Sequence, residues 1–153
     1  MAQPNQPKQE QPWHAAFPSP TAQLSDGSLD SITAEELRDL FTGERTEGDF
    51  LVVDVRRTDF DEPPYFIKGA INLPAHSFYQ TLPSLLPILS RYRLVIFHCQ
   101  SSSGRGPRCA GWLQDELNEK GVGKETSRAV VLAGGIKRWV EKYREDGEVT
   151  VKL

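Results

Sequence analysis

The sequence is short of cysteine, of long apolar runs and of excess positive charge, and each shortage removes a class of function. Its 153 residues include two cysteines, Cys99 and Cys109. Two thiols cannot build the cross-linked framework of a small secreted protein, and a chain of this length buries a core without one. No apolar stretch approaches the roughly 18 residues that argue for a membrane span, and the opening MAQPNQPKQEQPW has no apolar leader segment. Lys and Arg number 18 against 21 Asp and Glu, a net charge of -3. That balance offers no electrostatic footprint for nucleic acid or an anionic membrane surface. The expectation is a protein of a reducing compartment, cytoplasmic or nuclear, with neither nucleic acid nor membrane as partner. Any anionic ligand must then be caught locally, by a few well-placed donors.

What is present is an alternation of strand-like and helix-like segments. Residues 1–27 read as a Pro- and Gln-rich tail, partly disordered, although Trp13 and Phe17 are costly in a pure tail and suit docking on the domain. Residues 28–153 read as one domain. SLDSI is a short strand, and TAEELRDLFTG a helix with Thr33 and Glu36 at capping-box spacing. FLVVDV, LVIF and AVVL are apolar runs of the kind buried on both faces, and AINL is a shorter strand. HSFYQTLPSLLPILS is broken by Pro83 and Pro87, so short helical turns are expected there rather than one long helix. RCAGWLQDELNEKG and AGGIKRWVEKYRE carry helical spacing, and EVTVKL is an edge strand or a docked tail. The pattern predicts an α/β fold, a mainly parallel central sheet flanked by helices. In such sheets, sites form beyond the carboxyl ends of the strands.

At that position, directly after LVIF, the sequence reads HCQSSSGRGPR: Cys99, five residues, Arg105. Successive backbone N–H groups of such a loop can converge into an anion nest, to which the start of the following helix adds its positive end. Small serines and Gly104 let the loop curl without crowding. A helix terminus and a nearby guanidinium both favour thiolate over thiol. Arg105 supplies paired N–H donors to an oxyanion, a fork that lysine cannot copy. Taken singly, a buried cysteine is usually inert and a Gly/Ser loop is ordinary. It is the combination of strand, Cys99, loop, Arg105 and helix that points to nucleophilic chemistry on a tetrahedral oxyanion.

The loop, together with LVVDVR, IKGAINLP and VVLAGGIKRW, resembles the rhodanese-fold branch that holds the M-phase inducer dual-specificity phosphatases and the eukaryotic arsenate reductases. The resemblance covers residues 28–145 and implies a rhodanese-like single domain. Its loop length, seven from Cys99 to Arg105, is that of the phosphatase and arsenate reductase branch rather than of the sulfurtransferases. Carried over, Cys99 matches the nucleophile, Arg105 the oxyanion clamp, and Gln100, Ser101, Ser102, Ser103 and Gly104 the substrate cradle. His98 matches an auxiliary histidine. The resemblance thus implies a phosphatase that hydrolyses a phosphomonoester, phosphotyrosine-type or a small aryl phosphate, through a phosphocysteine and without a cofactor. The alternative it implies is an arsenate reductase drawing electrons from glutathione or glutaredoxin. A non-catalytic oxyanion-binding module and a thiosulfate sulfurtransferase stand further off. The chain departs from the inducer phosphatases in having no acid in QSSSG, in placing Phe66 where histidine is common, and in ending soon after GGIKRW; these departures suggest a small, open site.

Asp54 is expected to pair structurally with an arginine. Asp59, Asp61 and Glu62 lie on a loop with the reach to approach the site but read as solvated charges, and none is assigned a catalytic role. Cys109 reads as helix packing, and His14 and His76 as too scattered for a metal site.

Overall fold

Side chains alternating between two apolar faces set the architecture of the computed structural model, which describes residues 12–43 and 49–153. The expected disorder of the first eleven residues concerns positions outside that range. The strands are β1 (Asp30–Ile32), β2 (Phe50–Asp54), β3 (Tyr65–Ile67), β4 (Ile71–Asn72), β5 (Leu94–His98), β6 (Arg128–Leu132) and β7 (Thr150–Lys152). The helices are α1 (Ala34–Thr42), α2 (Ala75–Leu89), α3 (Arg105–Glu119) and α4 (Gly135–Tyr143). Five strands form a parallel sheet in the order β1-β6-β5-β2-β4. β3 and β7 make a separate antiparallel pair.

The period of two is visible residue by residue. Val95 and Phe97 of β5, Val53 of β2 and Val131 of β6 face a core shared with Phe78, Leu82, Trp112 and Leu113 of α2 and α3. Ile96, Val52, Val130 and Leu132 face the opposite core, with Leu37 of α1 and Ile136 and Trp139 of α4. Strands buried on both sides by crossover helices are what a parallel sheet requires. β5 is therefore the central strand, and its carboxyl end lies level with that of β2, Asp54 opposite His98.

The α1 capping box forms as the sequence predicts, with Glu36 N–H donating to Thr33 Oγ1 and Thr33 N–H to a Glu36 carboxylate oxygen, both at 3.1 Å. α2 corrects an expectation. It is one continuous helix of 15 residues through Pro83 and Pro87. The two prolines, four residues apart, lie on an exposed side, while Phe78, Leu82 and Leu89 bury the other. Two backbone hydrogen bonds are lost on a face open to water, and apolar packing on the inner face outweighs that loss.

Residues 12–29 lie along the domain. Trp13 and Phe17 meet Trp112 edge-on, and Phe17 meets Tyr79. Trp112 Nε1–H donates to Pro18 O at 2.8 Å, and the Asp115 carboxylate accepts from Thr21 N and Ala22 N. Gly111 is required here, since a Cβ would stand 2.7 Å from Ala22 O and from the Pro20 ring. Among the described residues no helix is long and apolar enough to cross a membrane.

Candidate active site

Cys99 follows β5 directly and is only 3% exposed, at the base of the turn that leads into α3. The Gly106 N–H, in the first turn of α3, is directed at its Sγ at 3.4 Å. Gly106 permits the approach comfortably: a Cβ there would sit 3.4 Å from Cys99 N, ordinary contact.

The loop's carbonyls are drawn to one side by α4. Ile136 N–H donates to Cys99 O at 3.1 Å and Lys137 N–H to Gln100 O at 3.0 Å. Each peptide is planar and trans, so the N–H groups of Gln100 and Ser101 point the opposite way, away from α4. Gly135 makes this contact possible. Its φ is +62°, and a Cβ would stand 2.4 Å from Gln100 O. Ser102 continues the curl with φ +58°, its buried hydroxyl unpaired among the described residues, and Ser101 Oγ lies 2.9 Å from Ser103 Oγ. A left-handed residue within such a curl is one element of anion-nest geometry.

His98 is fully buried, and burial holds its pKa below the usual histidine value, so the ring is neutral. Its Nδ1 is 3.1 Å from Cys99 O. A carbonyl only accepts, so Nδ1 carries the proton, and the Cys99 carbonyl is held by His98 and Ile136 together. His98 thus fixes the Cys99 backbone rather than its sulfur.

Arg105 does not stand free. Its Nη1 and Nη2 donate to the two oxygens of Asp59 at 2.8 and 2.6 Å. Asp59 Oδ1 also accepts from Arg57 N at 2.9 Å. The hydrogen bonds from Arg105 hold the Asp59 carboxyl far below the usual carboxylate range. Reciprocally, Asp59 first and then nearby Cys99 raise the Arg105 pKa, so the guanidinium remains a cation beside the sulfur. Asp59 is the residue that sequence reasoning left among solvated loop charges. The only available signal was the loop's position after β2, level with the loop after β5.

Asp54 behaves as expected. It pairs with Arg56, both essentially unexposed, through contacts of 2.8–3.1 Å. His76 also comes closer than expected. It stacks on Trp13 with ring centroids 4.8 Å apart, its Nδ1 is buried without a partner among the described residues, and its pKa is lowered by burial and by the charges of Arg57 and Arg105. Cys109 is wholly buried in the core, and burial pushes its thiol up. Among the described residues no three His, Cys, Asp or Glu side chains converge to hold a metal.

Residues 33–142 match the rhodanese-like domain family. This chain belongs to that family. The rhodanese-like chain is 31% identical over 120 residues to Arsenical-resistance protein 2 of Saccharomyces cerevisiae, covering 74% of this chain and 90% of that one. It is 33% identical over 91 residues to Arsenate reductase 2.2 of Oryza sativa subsp. japonica, covering 58% and 67%. M-phase inducer phosphatase 1-B of Xenopus laevis is 30% identical over 138 residues, which is 85% of this chain but 24% of that protein. Among solved structures, Ygr203w, described as a yeast protein tyrosine phosphatase of the rhodanese family, superposes with a TM-score of 0.66 at 28% identity, covering 80% and 92%. The parallel five-stranded sheet with its four helices is the rhodanese fold, and the relatives fall within a family of cysteine-based phosphatases and arsenate reductases.

Proposed function

We propose that this rhodanese-like chain is a cysteine-dependent phosphatase acting on an aryl phosphomonoester, phosphotyrosine-type or small. The single observation that carries the reading is the Cys99 sulfur beneath the first turn of α3, with a Gly106 N–H directed at it and the Arg105 cation beside it. In the first step Cys99 Sγ attacks phosphorus, an S–P bond forms and the bond to the aryl oxygen breaks. Arg105 and the N–H groups of the Gln100–Gly104 loop take up the charge on the non-bridging oxygens, with Ser101, Ser102 and Ser103 small enough to leave them room. Water then attacks phosphorus, the thiolate leaves and phosphate departs. No cofactor enters the cycle.

Leaving-group chemistry narrows the substrate. No acid lies among Gln100–Gly104, and Asp59 is held ionised by Arg105, so it is no proton donor at neutral pH. A phenol, with a pKa of about 10, departs with far less protonation than an alkyl alcohol. That favours aryl phosphates over phosphoserine-type esters.

The same cradle also fits arsenate, and the similarity to a plant arsenate reductase favours that as the second reading. There the thiolate attacks arsenic with loss of water, and glutathione supplies the two electrons that take arsenate to arsenite. A paired assay separates the two. Wild type and Cys99→Ser are compared on p-nitrophenyl phosphate without thiol, and on arsenate with glutathione and glutaredoxin. The expected result is thiol-independent phosphate release, lost by at least about a thousandfold in Cys99→Ser. A clean enzyme with no aryl phosphatase activity would remove the first reading, and glutathione-dependent arsenite formation would then establish the second.

A further inference from the structure

We infer that Asp59 is a positioning residue for the reaction, holding Arg105 end-on beside Cys99 so that the guanidinium meets the substrate oxyanion already oriented. The inference rests on the reading of Arg105 as the oxyanion clamp. Arginine has five N–H donors in a rigid plane, and Asp59 occupies one on each Nη. Among the described residues no other protein oxygen takes the remaining three, enough for a two-point fork beside Cys99. The pair therefore orients the clamp without consuming it.

The carboxylate is itself fixed. Asp59 Oδ1 accepts from Arg57 N, and Glu62 N–H closes a turn on Asp59 O at 2.9 Å. The ends of this loop are tied down from below, because the buried Arg56 donates to Pro63 O at 3.0 Å and to Tyr65 O at 2.9 Å. A chain of contacts thus runs from the core through Arg56 and the 57–62 loop to Asp59 and on to Arg105. Left alone, a long arginine side chain that is 23% exposed would sample many rotamers. An anchored carboxylate removes that search before substrate arrives, which is preorganisation of a transition-state contact.

A double-variant cycle on the full chain tests this. Asp59→Asn, Asp59→Glu, Arg105→Lys and Asp59→Asn/Arg105→Lys are compared with wild type, with urea midpoints confirming that each is folded. The expected result is a fall in kcat of about 10- to 100-fold for Asp59→Asn on p-nitrophenyl phosphate, with KM changed less than about threefold. Asp59→Glu recovers part of the loss. In the Arg105→Lys background, Asp59→Asn costs less than about threefold, because no fork is left to orient. A merely structural Asp59 would shift the urea midpoint and leave kcat of the folded protein unchanged. Unchanged kcat, or an equal loss in both backgrounds, overturns the inference. Should wild type prove inactive on aryl phosphate, the phosphatase reading fails. The same cycle is then read by calorimetry on vanadate, a five-coordinate mimic of the displacement, whose affinity should fall about tenfold in Asp59→Asn and not further once Arg105 is Lys.

Discussion

The segment after β2 takes part in two arginine–aspartate pairs with opposite characters. In the first, Asp54 and Arg56 are 1% and 0% exposed, and four of the five guanidinium donors are paired: Nε and Nη2 with Asp54, Nη2 also with Tyr65 O, and Nη1 with Pro63 O. In the second, Asp59 and Arg105 are 22% and 23% exposed, and among the described residues the carboxylate takes one donor on each Nη while Cys99 lies nearby. A fully buried guanidinium with four of five donors paired inside the protein is a strut. One held by a carboxylate at one edge, partly open to solvent and beside a cysteine, is the group we propose as the oxyanion clamp. The comparison separates structural from chemical arginines by counting unsatisfied donors rather than by noting salt bridges.

The sharpest way to break the comparison is to remove each arginine in turn. Arg56→Met leaves Asp54 buried and unpaired, and should cost about 3–5 kcal/mol of stability. Arg105→Lys should cost about 1 kcal/mol or less, because a pair exposed by a fifth is partly hydrated, while lowering kcat by about 10²–10³-fold. Urea unfolding and aryl phosphate turnover on the same preparations give both numbers. If Arg56→Met unfolds at the wild-type midpoint, or Arg105→Lys keeps full turnover, the distinction between strut and clamp is wrong.

A smaller effect is expected where α4 braces the loop. Gly135→Ala forces a side chain into φ +62° and a Cβ to within 2.4 Å of Gln100 O. Strain of about 1–3 kcal/mol follows, and relief comes by pushing away the Gln100 peptide. A loop displaced by about 1 Å loses on the order of 10²-fold in rate. Gly106→Ala is the control, since its Cβ meets Cys99 N at an ordinary 3.4 Å. Its stability should change by no more than about 1 kcal/mol. Equal unfolding midpoints for the two variants would show that the α4 contact does not constrain the loop.

The part of this architecture legible in the sequence is the part written in contiguous residues. LVIF, the turn from Cys99 to Arg105 and α3 follow one another along the chain, so period, spacing and small-residue content were enough to read them. The Asp54–Arg56 pair, two residues apart, follows the same local logic. Asp59 was not legible, because 46 residues separate it from Arg105 and only the level register of β2 and β5 brings the two together. A charged loop residue carries no periodicity to betray such a partner. His76 was hidden for the same reason, since its neighbours Trp13 and Arg57 come from separate segments. α2 was misread in the other direction. The local rule against interior proline is sound, but it gives the energy of an isolated helix, not of one whose inner face is buried beneath a sheet. β3 was missed because a three-residue strand has too little pattern, and it resolves the choice left open for EVTVKL, which pairs with it as β7.

The smallest effect expected concerns acid. Asp59 has a folded pKa depressed by Arg105, against about 3.9 in an unfolded chain. A depressed carboxylate contributes stability that is fully present above the unfolded value and is lost as pH falls below it toward the folded value. His76 and His98 also have depressed pKa values. Their neutral forms contribute stability above about pH 6.5, which declines as pH falls below that. The His98 slope is common to wild type and Asp59→Asn and cancels, but the Asp59 charge raises the His76 pKa, so its loss lets the His76 value fall further and weakens the variant slightly more as pH drops. The difference in unfolding free energy between the two should therefore grow slightly from pH 7 to about 5 and shrink below about 4. Solvent at the half-open pair keeps its size modest, unlike the loss at Arg56. A difference that does not shrink between about pH 4 and 2.5 would mean that Arg105 is not what holds Asp59 ionised. The second pair would then have to be redrawn as a chance surface contact.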